Sequence, residues 1–355
     1  MSKLSQELII STYISLLTKS PWAEVSLSTI ATELGVSKPA LFHYFSSKQE
    51  LDDIAFKKIH AEFEAMACLF ETMDQREALL NGSYYMLEHI PECTFLLQLL
   101  IDRRLSTANY IQDKKIPGKG TPYMVYAMIC FTSVIGAQIL SKQLTRKNQI
   151  EVQVDQLIGF LQKGLDVDRT PLDPASYTVK DTEIGESKYL KALDKVLKQY
   201  GPRSVSIGNF AKALGVAPST LYSTFKNKQC MLVKIASIEA NRMLGIVESH
   251  LNGRMELPAV VETIVRTVDS YLDQQVDVAL YIDDLYVVFS RRESFKAYPM
   301  MLKTYDALES ICPGLGVCMV TLPASNHTIR SVDPTRLTME QLLDYLYHGI
   351  KKELG

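Results

Sequence analysis

Apolar residues recur at helical spacing along most of the chain, beginning near its N-terminus. Ile9 and Tyr13 open a stripe that continues through Leu16 and Leu17, which is the i, i+4, i+7, i+8 spacing of one helix face. Two shorter stripes follow, and polar positions separate them. The pattern therefore predicts three helices within residues 1–50. The two shorter stripes are formed by Ile30, Leu34, Leu41 and Phe45.

The residues between these stripes have the chemistry of helix ends. Ser26 is placed to cap the second helix by accepting from an early backbone N–H, and Gly35 supplies the positive φ that a sharp turn needs. Ser37 is placed to cap the third helix. Pro39 is tolerated in the first turn of that helix, where a backbone N–H would lack a partner anyway. Helix, glycine turn and helix in this order form a helix-turn-helix pattern.

The same pattern occurs twice. Residues 25–48 recur at 205–228 without a gap, at a constant offset of 180 residues. The stripe in front of the pattern recurs as well, so the repeated unit contains three helices. The second copy of that stripe consists of Tyr189, Leu193, Val196 and Leu197.

Each three-helix unit is followed by a long helical region. The capping-box sequence Ser47–Glu50 starts a connecting helix that runs through Met66. Two helices are expected over about 76–112, broken at Asn81–Gly82 or at Pro91. The segment Tyr123–Leu144 then predicts a helix that is apolar nearly all round, which must be buried on several sides. A further helix is predicted over 152–165.

The second half follows the same plan with one departure. A connecting helix is predicted over 227–251, and 257–289 has the length of two more helices. Where the first half has its long apolar helix, 317–332 carries short β-favouring runs on either side of Pro323, which indicate a short β-hairpin and no matching helix. The end returns to the pattern, because 340–350 resembles 155–165.

Two stretches carry a resemblance to a known family. Residues 31–51 and 211–232 resemble the DNA-binding domain of TetR-type repressors, whose signature runs IA-x-x-x-GVS-x-x-x-LY-x-x-F-x-x-K-x-x-L. The resemblance implies an all-α fold made of two tandem TetR-like units, whereas the family's usual polypeptide has one unit and pairs as a homodimer. It also implies a double-stranded DNA operator, a small-molecule effector, and a dimerisation bundle formed by the last two helices of each unit.

These observations predict four domains and a linker. Residues 1–50 form the first helix-turn-helix headpiece and 51–168 the first helical body for ligand binding and dimerisation. Residues 169–185 form a polar linker with few apolar positions. Residues 186–230 form the second headpiece and 231–355 the second body.

The resemblance assigns the residues that would face DNA. In the first headpiece these residues lie on and around the recognition helix, with Lys48 reaching a phosphate at the next helix. Phe42 replaces the family's usual tyrosine, and Ala217 and Pro218 stand where the first copy has Ser37 and Lys38. A solvated face that no longer binds DNA is the alternative. The predicted DNA-binding residues are Ser28, Ser37, Lys38, Pro39, Ala40, His43, Tyr44 and Lys48, and then Pro218, Ser219, Thr220, Tyr222, Ser223, Thr224 and Lys228.

The resemblance also implies a ligand pocket among the helices of each body. Aromatic and polar residues on the middle helices are its candidate lining, although the same residue types at helical spacing also occur as ordinary core. The candidates are Tyr85, His89, Arg103, Tyr126, Met128 and Gln138 in the first half, and Tyr271, Tyr281, Asp284, Tyr286 and Arg292 in the second.

Charge differs sharply between the two headpieces. Residues 1–60 contain six lysines and six acidic residues, so that segment is neutral, whereas 185–240 contains nine basic and three acidic residues, for a net charge of +6. A positive field attracts the phosphate backbone of DNA. We therefore expect the second headpiece to supply most of the electrostatic attraction and the first to supply more of the sequence reading.

Composition narrows the function further. An apolar share of 47% over 355 residues is ample for large cores, and six scattered cysteines without a C-x-x-C pair indicate reduced thiols. No uninterrupted apolar run of about 18 residues and no signal peptide are evident, so we expect a cytoplasmic protein without a membrane partner. No cofactor, catalytic or metal motif is evident.

The sequence thus predicts a transcriptional regulator, interpreted as a repressor that an effector releases from an asymmetric operator. The alternative function is a ligand-binding or protein-interaction module in which one or both headpieces have lost DNA binding. An intramolecular pseudo-dimer of the two halves is the favoured assembly, because a linker of about 20 extended residues reaches up to ~65 Å. A homodimer of chains is the alternative assembly.

Overall fold

The computed structural model describes residues 4–19, 25–70, 73–90, 92–93, 122–140, 142–169, 172–180, 187–200, 206–225, 228–273, 292–332 and 337–350. The chain divides into two compact units, Met1–Asp102 and Arg103–Gly355. The described residues are almost entirely helical, and no strand occurs among them.

The first unit contains a headpiece and two longer helices. The headpiece consists of α1 (Gln6–Lys19), α2 (Leu27–Leu34) and α3 (Lys38–Leu41), and it leads into α4 (Lys48–Phe70) and α5 (Gln75–Glu88). The predicted apolar stripes meet in its core, where Ile9, Ile30, Leu41 and Phe45 are at most 1% exposed. Because α5 continues through Asn81–Gly82, the break predicted there is wrong. The break predicted at Pro91 lies outside the described residues.

The second unit begins with the last helices of the first half. Helix α6 (Pro122–Phe131) passes through a π-helical turn (Thr132–Gly136) into α7 (Ala137–Leu140), and α8 (Lys147–Lys163) follows. Pro122–Ile139 is long and apolar enough to cross a membrane by length and composition, and half of it is buried inside the protein. Tyr126, Val134 and Ile139 are fully buried, as expected of a core helix.

The second headpiece and body complete this unit. The headpiece consists of α9 (Lys188–Tyr200), α10 (Ile207–Leu214) and α11 (Pro218–Thr224), and α12 (Lys228–Ser249) connects it to α13 (Leu257–Asp273). After the gap at 274–291, α14 (Pro299–Ile311), α15 (Leu315–Val332) and α16 (Met339–His348) follow.

The hairpin predicted near 317–332 is wrong, because that segment is the continuous helix α15 with Pro323 inside it. Val317, Val320 and Thr321 of this segment are buried where α15 packs against α13, α14 and the π-helical turn. Burial along one helix stabilises it more than local propensity opposes it. The second half therefore does have a partner for the long apolar helix of the first half.

The four closing helices of the two halves pack together. Helix α6 and the π-helical turn contact α15, and α8 contacts α16. Buried Thr321 lies with its hydroxyl 3.2 Å from that of Ser133, and Gln153 donates to the carbonyl of Pro313. The compact unit therefore combines helices from both halves of the sequence.

The last turns of α8 and α16 cross in a reciprocal way. The N–H of Leu165 donates to the carbonyl of Leu346 at 2.9 Å, and the N–H of Ile350 donates to the carbonyl of Leu161 at 2.8 Å. Adding 185 to the residue numbers of one segment gives the residues of the other, so the two hydrogen bonds correspond to each other. Gly164 and Gly349 correspond in the same way, and both have positive φ. A Cβ on either glycine would lie within 2.7 Å of backbone atoms of the other segment. The crossing thus has the self-complementary form of a twofold interface.

The predicted linker contains residues that pack on the second body. The N–H of Val179, which is 1% exposed, donates to the hydroxyl of Ser270. Arg169 contacts the carboxylates of Glu262 and Glu340, each at 2.8 Å. The described part of this segment is therefore a strap that is held against α13 and α16, and it does not form a freely moving linker.

Candidate DNA-binding headpieces

Both headpieces build the helix-turn-helix from the same local chemistry. Ser26 and Ser206 each accept the N–H three residues later, at 3.1 Å, and so cap α2 and α10. Gly35 and Gly215 follow these helices at φ 66° and 72°. An added Cβ on either glycine would meet nothing within 4 Å, so the positive φ alone favours glycine here.

The two recognition elements differ in length. Helix α3 has four residues and α11 has seven, although both begin after a residue in extended conformation. Ser37 occupies the N-cap position of α3 without a side-chain capping hydrogen bond, so the predicted cap is wrong in that respect. Ala217 takes the same position before α11 and, because it has no hydroxyl, also forms no side-chain cap.

The predicted DNA-facing residues of the first headpiece fall into two groups. Ser28, Ser37, Lys38, Pro39 and His43 are exposed, and Ala40 is half-buried. His43 lies in the turn that follows α3, one residue beyond Phe42, whose ring is 47% exposed. Phe42, which stands where the family usually has tyrosine, thus adds an exposed aromatic ring beside the predicted set.

Tyr44 and Lys48 are engaged within the headpiece itself. The hydroxyl of Tyr44 donates to the carbonyl of Leu4 at 2.7 Å, and the residue is half-buried. The ammonium of Lys48 lies 5.9 Å from the centroid of the Tyr13 ring. Of these residues, His43 therefore presents the more available polar edge.

The start of α4 is fixed by a shifted capping box. The N–H of Glu50 donates to the hydroxyl of Ser47, as the sequence predicts, but the carboxylate of Glu50 accepts from the hydroxyl and the N–H of Ser46. These hydrogen bonds from Ser46 lower the pKa of Glu50. The carboxylate thus anchors the residue before the cap, next to the recognition turn.

The second headpiece presents hydroxyl groups. Pro218, Ser219 and Thr220 are exposed, and Tyr222 is 59% exposed. The side chain of Lys228 lies outside the described residues. Two of the predicted hydroxyls bond back to their own helix, because Ser223 and Thr224 both donate to the carbonyl of Thr220, at 2.7 and 3.3 Å.

The basic character of this headpiece lies on its surface. Lys191, Lys195 and Lys212 are exposed on α9 and α10. The acidic Glu239 is 3% exposed, and its carboxylate accepts from the Ser187 hydroxyl at 2.5 Å and lies 3.3 Å from an Arg242 nitrogen. Because the Glu239 carboxylate is buried and pairs with Arg242, it offsets little of the positive charge of the lysines on the surface.

The candidate pocket residues of the first half lie in two different units. Tyr85 on α5 and His89, the residue that follows α5, stack in the first unit, with ring centroids 4.3 Å apart. In the second unit Tyr126 is fully buried, whereas Met128 is 46% exposed and does not line an interior pocket. Gln138 of that unit donates to the carbonyl of Val134 at 2.6 Å. Arg103 lies outside the described residues.

Only part of the second candidate set is described. Tyr271 is 2% exposed, its hydroxyl has no hydrogen-bond partner in the described part of the protein, and burial raises its pKa to about 12. Arg292 is instead exposed and forms two hydrogen bonds with Asp306, so it does not line an interior pocket. Tyr281, Asp284 and Tyr286 lie outside the described residues.

The structure adds polar groups that the sequence analysis missed. Asn326 and Thr267 are fully buried between α13 and α15, and neither the amide of Asn326 nor the hydroxyl of Thr267 has a hydrogen-bond partner within the described ranges. Buried groups of this kind usually have one. The sequence signal was an asparagine within 323–327, between the two β-favouring runs, and the predicted hairpin placed it in a loop.

Comparison with known families gives one match in each half. Residues 9–52 and 190–235 both match the family described as bacterial regulatory proteins, tetR family. Together the matched segments cover about a quarter of the chain and coincide with the two headpieces. None of the curated proteins compared matches the chain.

Proposed function

We propose that this chain, which carries two tetR-type helix-turn-helix headpieces, is a transcriptional repressor that binds one operator with both. The observation that carries the proposal is the presence of two complete headpieces in one polypeptide. Each has a serine-capped second helix, a glycine turn and exposed residues on its third helix. A cytoplasmic location and a non-enzymatic role accompany such a regulator.

The assembly that we propose is a pseudo-dimer within one chain. A homodimer of one-unit regulators joins two copies of the same closing helices through a twofold interface. Here the closing helices of both halves lie in one compact unit. The reciprocal hydrogen bonds of Leu165 and Ile350 support an interface that is satisfied inside a single chain.

The operator that we propose is asymmetric. Two identical recognition helices read a palindrome, because each half-site sees the same side chains. The exposed residues here differ: Lys38 and His43 on one headpiece correspond to Pro218 and Ser223 on the other. The two half-sites should therefore differ in sequence, with the first headpiece contributing more discrimination between bases.

The effector that we propose is a small, partly apolar molecule bound in a helical body. Unpartnered polar atoms of Asn326, Thr267 and Tyr271 in the second body support a ligand with hydrogen-bonding groups. Binding would shift the population of headpiece spacings by tilting α4 or α12, which follow the headpieces directly. Release from the operator requires different ligand affinities in the two states.

The alternative function has one observation in its favour. The neutral charge of the first headpiece suits a headpiece that no longer binds DNA. In that case the chain would act as a ligand-binding or protein-interaction module.

Selection from random DNA followed by gel-shift assays at two salt concentrations separates these functions. The proposal predicts one enriched site with two unlike halves, bound by a particle whose mass in light scattering is that of one chain. A perfect palindrome bound by two chains would overturn the pseudo-dimer. Absence of any enriched sequence would favour the alternative function.

A further inference from the structure

Three potential metal ligands meet where α13 and α15 pack in the second body. Asp269 and Asp273 lie one helical turn apart on α13, and His327 on α15 faces them. Its Nδ1 atom lies 3.5 Å from Oδ1 of Asp269 and 3.3 Å from Oδ1 of Asp273. The three ligand atoms lie within 4.8 Å of one another.

The buried imidazole is an independent indication that something binds there. His327 is 8% exposed, and its Nδ1 has no hydrogen-bond partner among the described residues. Leaving a buried polar atom without a partner costs free energy. An ion between the imidazole and the two carboxylates would satisfy this nitrogen directly.

The distances fit an ion of ordinary size. Two donor atoms that each lie about 2.1 Å from one tetrahedral ion are separated by roughly 3.4 Å. The two nitrogen-to-oxygen distances bracket that value. The imidazole would therefore need little rearrangement relative to either carboxylate.

Arg330 supports one of the carboxylates from outside this cluster. One guanidinium nitrogen of Arg330 donates to both oxygens of Asp269, at 2.7 and 2.9 Å. A carboxylate oxygen has a further lone pair for an ion, and outer hydrogen bonds of this kind orient metal ligands. Two carboxylates and one arginine leave a net charge of −1 for a cation when the histidine is neutral.

We propose that Asp269, Asp273 and His327 bind one divalent transition-metal ion, with zinc as the representative. An imidazole ligand favours such an ion over magnesium or calcium, which prefer oxygen donors throughout. The ion would tie the end of α13 to α15 and thereby stabilise the second body. This site does not depend on the function in DNA binding.

A protonated histidine is the competing explanation of the same geometry. His327 would then pair with Asp273 as an ordinary ion pair while Arg330 pairs with Asp269, and no metal would bind. The two explanations differ in what happens when a metal is added to the full chain.

The test is a titration of the chelator-treated full chain with Co²⁺, followed by its visible spectrum, and with Zn²⁺, followed by calorimetry. We expect one equivalent to bind without a sulfur-to-metal charge-transfer band. Asp273→Asn should weaken binding by at least ~10-fold. Its side chain is 61% exposed, so the variant should fold.

Asp344→Asn is the matched control. Asp344 is 59% exposed, much like Asp273, and lies 3.9 Å from His348, but it belongs to no three-ligand group in the described chain. Its binding should equal that of the unmodified chain, while His327→Gln should lose binding like Asp273→Asn. No saturable binding, unchanged binding in Asp273→Asn, or a thiolate band from cysteine ligands would each overturn the proposal.

Discussion

At the recognition turn, the first half of the chain presents Lys38 and His43, whereas the second half presents Pro218 and Ser223. At the closing helices the two halves instead agree so closely that Gly164 and Gly349 face each other in the same conformation. Surfaces that face outward have diverged, and backbones that face each other have kept one geometry. In this chain, close packing therefore constrains the sequence more strongly than exposure to solvent does.

Substitutions at the crossing of α8 and α16, where the two halves have the same geometry, should cause the largest loss of stability. Gly349→Ala and Gly164→Ala should each destabilise the protein by about 3 kcal/mol or more, because an added Cβ would collide with backbone and the positive φ would be strained. Denaturant unfolding measures this free energy. Gly159→Ala is the control, since its Cβ would meet nothing within 4 Å. Tolerance of either crossing variant would contradict the reciprocal interface.

The next effect sharpens the difference between the recognition surfaces. His43→Ala should cost ~1–3 kcal/mol of DNA-binding free energy at one half-site only, because it removes an exposed base-reading edge. Ser223→Ala should cost less than about 1 kcal/mol, since that hydroxyl already donates to Thr220. Gel shifts on operators with one mutated half-site measure both. Equal losses at both half-sites would show that the headpieces read DNA alike.

Serine-to-alanine variants should distinguish the serines that cap a helix from the one that does not, through smaller changes in stability. Ser26→Ala and Ser206→Ala should each destabilise the protein by about 1 kcal/mol, because their hydroxyls accept a backbone N–H. Ser37→Ala should change stability very little, since this hydroxyl does not cap α3. Thermal unfolding compares the three variants. A large loss of stability in Ser37→Ala would mean that the cap forms after all.

The smallest effect concerns acid. The pKa of Glu50 is lowered by hydrogen bonds from Ser46, so its stabilising contribution is present at neutral pH and is lost as pH falls through that lowered pKa. Cys230 holds the equivalent position of the second headpiece, which therefore lacks this carboxylate. Glu50→Gln should make the stability of the first headpiece less sensitive to acid as the pH falls below the ordinary pKa of a glutamate. Hydrogen exchange in each headpiece measures the difference, and equal acid sensitivity before and after substitution would contradict it.

Sequence alone was sufficient for the headpieces. Stripes such as Ile9 and Tyr13, serine caps and the turn glycines are short-range features, and they specify local structure whatever surrounds them. The all-α fold with tandem units followed from these features and from the repeat. Most of the residues that were predicted to face DNA are exposed. The engaged hydroxyl of Tyr44 could not be predicted, because its partner Leu4 lies 40 residues away.

Other features of the fold depend on long-range packing. Contacts between residues far apart in the chain produce three of these features. They are the helix around Pro323, the packed strap at Arg169, and the proximity of Asp269 and His327. Local propensity favoured a hairpin, and burial against α13 and α14 produced a helix. The sequence determined the repeat and its caps because those rest on neighbouring residues. The folded chain determined the interfaces, because burial is a property of the whole arrangement.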